Sequence, residues 1–302
     1  MSYIPKYIEL NRTGELAKRV DALYEILKEC RLCPRKCSVN RMEGEVGICK
    51  AGKELIISSA FPHFGEEPPL VGFNGSGTIF FTHCNLRCIF CQNYEISHLG
   101  KGEITTTSIM AKQMLRLQNI GCHNINFVTP TQYVPQIVAS LPEAIYSGLN
   151  IPLVFNCGGY ESQEVIRLLD GIIDIYMPDI KFFDGEVAKK YTKAPDYPEV
   201  VKDALKQMHI QVGDLSIDKD GIAKTGLLIR HMIMPYELAG TSDIMKFIAT
   251  EISKDSYVNI MAQYRPMYKS YEFPELSRKI TSEEYRKARE IAKNLGLHRG
   301  FR

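Results

Sequence analysis

The chain has 302 residues, 45% of them hydrophobic and 24% charged, with 37 Lys and Arg against 35 Asp and Glu for a formal net charge of +2. This composition is that of a globular protein with a sizeable core, and it excludes a disordered or fibrous chain. The near-neutral balance indicates no nucleic-acid or membrane partner. No apolar run approaches the roughly 20 residues that a membrane helix needs, and the N-terminus lacks the apolar region of a signal peptide, so we expect a cytoplasmic protein.

The first predicted element is an amphipathic helix over residues 12–29, with Leu16, Leu23 and Leu27 on one side. A stretch rich in proline and glycine follows, and it predicts a segment with little core of its own. Four cysteines lie in it: Cys30, Cys33, Cys37 and Cys49. Four thiols with close spacings and a glycine-bearing return loop suit a tetrahedral metal site, which would hold either zinc or an iron–sulfur cluster. The alternative is that the four thiols are free. We therefore predict an N-terminal helix and Cys-rich metal-binding segment over residues 1–75.

Residues 76–302 predict alternating strands and helices. Strands are expected at about 77–82, 123–128, 152–156, 172–178, 226–234 and 257–262. Helices are expected at about 107–119, 133–147, 161–170, 185–210 (broken near Pro195 and Pro198), 242–253 and 282–295. The last of these is marked at its start by Thr281 and Glu284, which have the spacing of a capping box. This alternation implies an α/β fold with a parallel sheet and crossover helices. Six units rather than eight favour a partial (β/α)6 TIM-like barrel, preceded by the small cysteine-rich segment, with functional groups at the C-terminal ends of the strands.

Three further cysteines follow the first strand of this run: Cys84, Cys88 and Cys91, spaced Cys-x3-Cys-x2-Cys. Thiolates at this spacing can converge on one inorganic cluster, whereas a closed zinc site needs a fourth ligand. A [4Fe–4S] cluster held by three cysteines leaves one iron free to bind another ligand. Cys122 and Cys157 stand alone beside apolar segments, as buried small hydrophobic residues commonly do.

This cysteine loop, with Phe90 before its last cysteine, resembles the signature loop of radical S-adenosylmethionine (radical SAM) enzymes. The chain is similar in outline to the pyruvate formate-lyase activating enzyme-like members of that family. The resemblance implies an oxidoreductase in which the open iron binds S-adenosylmethionine and one electron cleaves it to a 5′-deoxyadenosyl radical for hydrogen abstraction. It also implies a one-electron donor such as flavodoxin or ferredoxin. Two substrate classes stay open. One is a protein substrate, the backbone glycine of a glycyl-radical enzyme, and the other is a small molecule.

Polar residues stand at the predicted strand ends, where that cofactor would bind. Asp179 and Lys181 are two residues apart and so point the same way, and their charges suit a cofactor with an ammonium and a carboxylate. The residues that the resemblance places around S-adenosylmethionine are Thr129, Thr131, Asn156, Asp179, Lys181, Arg230 and Tyr264. Two positions depart from the family: Thr129-Pro130-Thr131 replaces a Gly-Gly-Glu element, and Tyr264 replaces a histidine. These departures leave the substrate class open, and no catalytic residue is assigned.

The main alternative to an enzyme is a non-catalytic protein, either an iron–sulfur electron carrier or a zinc-stabilised binding module. The β/α repeat and the polar strand ends favour the enzyme, because a carrier needs no pocket of that size. A hydrolase with Cys157 as its nucleophile is disfavoured, since no histidine has a recognisable partner position.

Overall fold

The computed structural model describes residues 3–301, in which nine strands belong to one mixed sheet. The strands are β1 (Leu55–His63), β2 (Ser76–Phe81), β3 (Glu103–Thr105), β4 (Ile125–Val128), β5 (Leu153–Cys157), β6 (Ile175–Pro178), β7 (Ser216–Ile217), β8 (Ala223–Met232) and β9 (Tyr257–Met261). The α-helices are α1 (Lys6–Arg12), α2 (Glu15–Lys28), α3 (Pro68–Val71), α4 (Tyr94–Ser97), α5 (Thr107–Ile120), α6 (Val134–Tyr146), α7 (Gln163–Leu168), α8 (Gly185–Thr192), α9 (Tyr197–Val212), α10 (Thr241–Phe247) and α11 (Ser282–Asn294). Short 3₁₀ turns include Arg41–Glu43 and Thr131–Tyr133.

Six strands form the parallel part of the sheet, in the order β2, β4, β5, β6, β8, β9. Helices connect them, as expected for crossovers between parallel strands. The sheet is not closed, because β9 pairs with β8 at one end and β3 lies at the other. These features confirm the predicted α/β fold with a partial barrel.

Side chains along the parallel strands alternate between an outer face against the helices and an inner face. Ile125 and Phe127 of β4 belong to the large outer core. Val154, Met177 and Leu228 form a smaller inner cluster. We call this inner face the lumen. The alternation decides which polar side chains face the interior of the partial barrel.

The sequence did not predict the antiparallel strands. β1 pairs antiparallel with β2, with Phe61 opposite Thr78, so residues 55–63 of the expected N-terminal segment belong to the sheet. The connection from β1 to β2 contains α3, whose Leu70 joins the lumen cluster. The division of the chain at residue 75 therefore stays a prediction, although the sheet is continuous across it.

The predicted helices at the two ends of the chain are both present. Leu16, Leu23 and Leu27 are buried on α2. The backbone N–H of Glu284 donates to Thr281 Oγ1 at 3.1 Å, and that of Thr281 donates to Glu284 Oε2 at 2.7 Å, which forms the predicted capping box of α11. Within residues 3–301, no helix is long and apolar enough to cross a membrane.

Candidate functional site

The three-cysteine loop begins directly beyond the C-terminal end of β2, as the sequence predicts. The backbone N–H of Leu86 donates to Cys84 Sγ at 3.4 Å, and His98 Nε2 lies 3.1 Å from the carbonyl oxygen of Cys88. Cys91 Sγ lies 3.1 Å from the hydroxyl of Ser97. These bonds hold the loop against α4.

The environment of these thiols fits a cluster that carries positive iron charge. Burial raises the pKa of Cys84 well above the ordinary value, and the neighbouring thiol of Cys88 raises it further. Burial likewise raises the pKa of Cys88 to about 12, against the opposing charge of Lys181. Thiolates here are therefore costly unless cations offset them, which bound iron would do. Among residues 3–301 no three His, Cys, Asp or Glu side chains stand where they would hold a metal ion without rearrangement, and this applies to both groups of cysteines.

Asp179, Lys181 and Arg230 form one charged network at the ends of β6 and β8. Arg230 Nε donates to Asp179 Oδ1 at 2.8 Å, and Lys181 Nζ donates to Asp179 Oδ2. Burial opposes the ionisation of Asp179, but the two cations outweigh it and lower the pKa of that carboxyl. A Cβ on Gly158 would lie 2.9 Å from Leu86 Cδ1 and 3.9 Å from Lys181 Cε, so the network lies beside the cysteine loop.

Asn156 lies at the end of β5, between that network and Thr129. The backbone N–H of Thr129 donates to the carbonyl oxygen of Asn156 at 2.9 Å, and Thr129 has a left-handed φ of 58°. Such a conformation is strained for a β-branched residue and occurs most often at functional sites. A Cβ on Gly159 would lie 2.3 Å from the carbonyl oxygen of Asp179, so only glycine lets these strand ends approach so closely.

Thr131 and Tyr264 use their hydroxyls within the protein. Thr131 Oγ1 donates to Glu161 Oε1 at 2.9 Å, and Tyr264 Oη donates to the carbonyl oxygen of Leu276 at 2.7 Å. The Tyr264 ring packs against Phe90 of the cysteine loop, with centroids 6.3 Å apart. Their assignment to the S-adenosylmethionine pocket stays a prediction.

A segment after β9 covers the cysteine loop, and the sequence did not predict this contact. The backbone N–H of Lys269 donates to the carbonyl oxygen of Ile89 at 2.9 Å. The Tyr268 ring stacks on the Tyr94 ring with centroids 5.0 Å apart. The centroid of the His98 ring lies 4.8 Å from that of Tyr268. The C-terminal part of the chain thus helps to fix the loop.

The four N-terminal cysteines line one cavity, and their common metal site stays a prediction. The residues around it are Cys30, Cys33, Cys37, Cys49, Leu32, Arg35, Lys36, Arg41, Gly47, Asn85, Thr131 and Gln132. The backbone N–H of Ile48 donates to Cys37 Sγ at 3.5 Å. Burial raises the pKa of Cys33 and of Cys49, so thiolates in this cavity also need nearby positive charge.

The two cysteine sites are neighbours. Asn85, which follows Cys84, lines the four-cysteine cavity, and Arg35 Nε donates to its carbonyl oxygen at 3.0 Å. Gln132 lines the same cavity, and its Nε2 donates at 2.8 Å to the carbonyl oxygen of Thr82, just before the three-cysteine loop. Asn85 and Gln132 thus connect the two cysteine sites, and nothing in the spacing of the cysteines along the sequence predicted that the sites are neighbours.

Sequence reasoning missed several buried charged residues. Glu161 is 2% exposed, and burial raises its pKa to about 8. Arg41 is fully buried and donates to the carbonyl oxygens of Gly52 and Gln132. Charged side chains are ordinarily exposed, so their burial could not be inferred before the fold was known.

Comparison with known proteins identifies a family model, described as Radical SAM superfamily, that matches residues 78–213. An uncharacterized protein of Methanocaldococcus jannaschii, MJ0674, is 34% identical over 299 residues, which are 96% of this chain and 82% of that protein. A second uncharacterized protein of the same organism, MJ0808, is 24% identical over 283 residues, covering 84% of this chain and 78% of that one.

Two solved structures are also similar. HydG, a maturase of the [FeFe]-hydrogenase, aligns with 72% of this chain at 12% identity and a TM-score of 0.48, and the alignment spans 48% of the HydG chain, less than half its length. TYW1 with a lysine-pyruvate adduct bound aligns with 72% of this chain and 73% of its own at 12% identity and a TM-score of 0.42.

Proposed function

The chain belongs to the radical SAM superfamily, and from this premise we propose that it is an enzyme that cleaves S-adenosylmethionine reductively and abstracts a hydrogen atom from its substrate. The observation that carries the proposal is the position of the three-cysteine loop beside the network of Asp179, Lys181 and Arg230. A cysteine loop alone would serve an electron carrier. A charged, partly buried network next to it suits a ligand with both an ammonium and a carboxylate.

In this proposal Cys84, Cys88 and Cys91 hold three irons of a [4Fe–4S] cluster. When bound, the cluster supplies the electron that cleaves S-adenosylmethionine. Asp179 keeps Lys181 and Arg230 in fixed positions, so that their remaining donors orient the carboxylate of the cofactor. Asn156, 4% exposed at the end of β5, offers its amide to the ribose.

We further propose that the four N-terminal cysteines hold a second metal centre, either zinc or an iron–sulfur cluster. The support is electrostatic. Arg41 is fully buried at this cavity, its Nη1 has no hydrogen-bond partner, and within residues 3–301 it forms no salt bridge. An isolated buried cation is costly, and four metal-bound thiolates would supply the missing negative charge.

The electron donor in this proposal is a one-electron carrier such as flavodoxin or ferredoxin, and the protein substrate that the resemblance implies is a glycyl-radical enzyme. The activase role is tested by incubating the cluster-loaded protein and S-adenosylmethionine with a glycyl-radical enzyme from the same genome. A glycyl radical seen by electron paramagnetic resonance would support that role. A genome that encodes no such enzyme would exclude it and leave another substrate class.

The experiment that tests the main proposal uses the protein reconstituted anaerobically with iron and sulfide. After reduction with dithionite and addition of S-adenosylmethionine, 5′-deoxyadenosine is measured together with the electron paramagnetic resonance spectrum. We expect cleavage, and a reduced-cluster signal that changes when S-adenosylmethionine is added. Cys88→Ala should abolish both, because it removes a cluster ligand.

Cys122→Ala is the matched control, since Cys122 is a buried thiol outside both cysteine sites. It should retain cleavage and spectrum. An intact reduced cluster in the parent protein, with neither cleavage nor spectral change, would contradict the proposal and favour an iron–sulfur electron carrier. Zinc without iron in the purified chain would favour the zinc-stabilised binding module.

A further inference from the structure

The connection from β1 to β2 places two adjacent carboxylates in the lumen. Glu67 is 4% exposed, and its Oε1 accepts a hydrogen bond of 2.8 Å from Asn259 Nδ2, whereas its Oε2 has no hydrogen-bond partner in the part of the chain that the structure describes. The Glu66 side chain is 7% exposed, and its Oε1 lies 2.9 Å from His63 Nδ1. Val258 and Ile260 of β9 belong to the outer core, so Asn259 between them faces the lumen.

These carboxylates lie next to the charged network of the S-adenosylmethionine site. Glu66 Oε2 is 3.9 Å from Arg230 Nη1, and Arg230 already donates to Asp179 at 2.8 Å. Asp179 also holds Lys181. Asp179, Glu66 and Glu67 thus place three negative charges around the two cations, so one negative charge is in excess. The Glu67 carboxylate interacts electrostatically with Arg230, but it accepts its hydrogen bond from the neutral amide of Asn259. Burial raises the pKa of Glu67, and a cation against Oε2 would offset that cost.

Asn126 provides an independent sign of a ligand in the same lumen. It is fully buried, and among residues 3–301 neither its Nδ2 nor its Oδ1 finds a hydrogen-bond partner in the protein. Its neighbours Ile125 and Phe127 belong to the outer core, so its side chain faces inward. A buried amide with both polar atoms unpaired is rare in folded proteins, and it is expected where a bound group supplies the partners.

An aromatic wall stands beside the carboxylates. Phe61 and Phe80 stack with ring centroids 5.6 Å apart, and His63 meets the Phe80 ring edge-on at 5.8 Å. Phe61 is 40% exposed, so the wall is open to solvent on one side. Aromatic faces attract cations and cover the apolar stem that carries them.

We propose that the lumen binds a cationic group of the substrate, an ammonium or a guanidinium, with Glu67 as its counter-charge, Asn126 as a hydrogen-bonding partner and Phe61 and Phe80 against its stem. This inference rests on the proposed function, because it assigns the lumen to the substrate of the same enzyme. It goes further by naming the chemistry of the group. An anionic group is disfavoured there, because the carboxylates of Asp179, Glu66 and Glu67 outnumber the two cations beside them.

The test uses cluster-loaded protein in the oxidised state with S-adenosylmethionine present, so that binding is measured without turnover. Three probes of nearly equal shape are titrated by calorimetry: n-butylguanidinium, its neutral isostere n-butylurea, and the anion pentanoate. We expect saturable binding of butylguanidinium that is at least about tenfold tighter than that of butylurea, as for a charge paired in a buried site. Glu67→Gln should remove this difference.

Glu103→Gln is the matched control, because Glu103 is an exposed carboxylate on the edge strand β3. It should bind the three probes as the parent does. Equal binding of butylguanidinium and butylurea, or tighter binding of pentanoate, would overturn the inference. Cleavage of S-adenosylmethionine by the reduced protein is measured on the same preparations, so that loss of the proposed function is distinguished from failure of this inference alone.

Discussion

Asp179 is the residue on which the charges of the candidate site depend. It accepts from Arg230 on one carboxylate oxygen and from Lys181 on the other, and the three side chains are between 14% and 20% exposed. A single carboxylate therefore holds two cations in place near Cys88. This arrangement fixes donors in advance of ligand binding, which lowers the cost of ordering them when the cofactor arrives.

Asp179→Asn should lower the free energy of unfolding of the apoprotein by about 3 kcal/mol, because it removes the carboxylate that pairs directly with two partly buried cations. The folded-state pKa of Asp179 lies below the ordinary value of 3.8. The stability that ionised Asp179 contributes is therefore complete above pH 3.8 and is lost only as the pH falls below 3.8. Urea unfolding between pH 5 and 8 should consequently give the same difference between variant and parent throughout.

The exposed Asp220→Asn serves as the control for Asp179→Asn and should change stability by less than about 0.5 kcal/mol. A variant Asp179→Asn as stable as the parent would show that the two cations are solvated rather than paired.

At the scale of elements, the sequence predicted the parallel strands because each is a short apolar run followed by a helical pattern. The strand of residues 55–63 escaped prediction because it lies in a stretch rich in proline and glycine, and its pairing with β2 is tertiary. The burial of Glu66 and Glu67 escaped prediction for the same reason. In the sequence they look like solvated loop residues, and only the position of α3 in the fold places them in the lumen. The cysteines were predictable because their spacing is local, whereas the neighbourhood of the two cysteine sites depends on the fold.

Helix α11 offers an element whose boundary was predicted from a local signal. Thr281→Ala removes the hydroxyl that accepts from the Glu284 N–H, and it should lower the free energy of unfolding by about 1 kcal/mol. Ser282→Ala, one residue later at an exposed position, should stay within about 0.5 kcal/mol of the parent. Equal effects of the two substitutions in urea unfolding would mean that the capping box does not stabilise the helix.

At the scale of the molecule, the two cysteine sites connect the N-terminal segment to the barrel. Between Cys30 and Cys49 the structure has one short 3₁₀ turn, Arg41–Glu43, and no other helix or strand. Arg35 crosses to the barrel, where it donates to the carbonyl oxygens of Asn85 and Thr192. A metal held by the four cysteines would thus fix both this segment and one wall of the three-cysteine loop.

Cys49→Ser should remove the metal of the four-cysteine site and lower the free energy of unfolding by more than about 3 kcal/mol, because the segment loses its main cross-link. Hydrogen exchange should accelerate over residues 30–54 and leave the strands of the parallel sheet protected, and elemental analysis should show which metal is lost. Cys122→Ser, at a buried thiol outside the site, controls for the substitution itself and should leave exchange in residues 30–54 unchanged. Unchanged metal content and exchange in Cys49→Ser would show that packing alone orders the segment, and the four cysteines would then be free thiols.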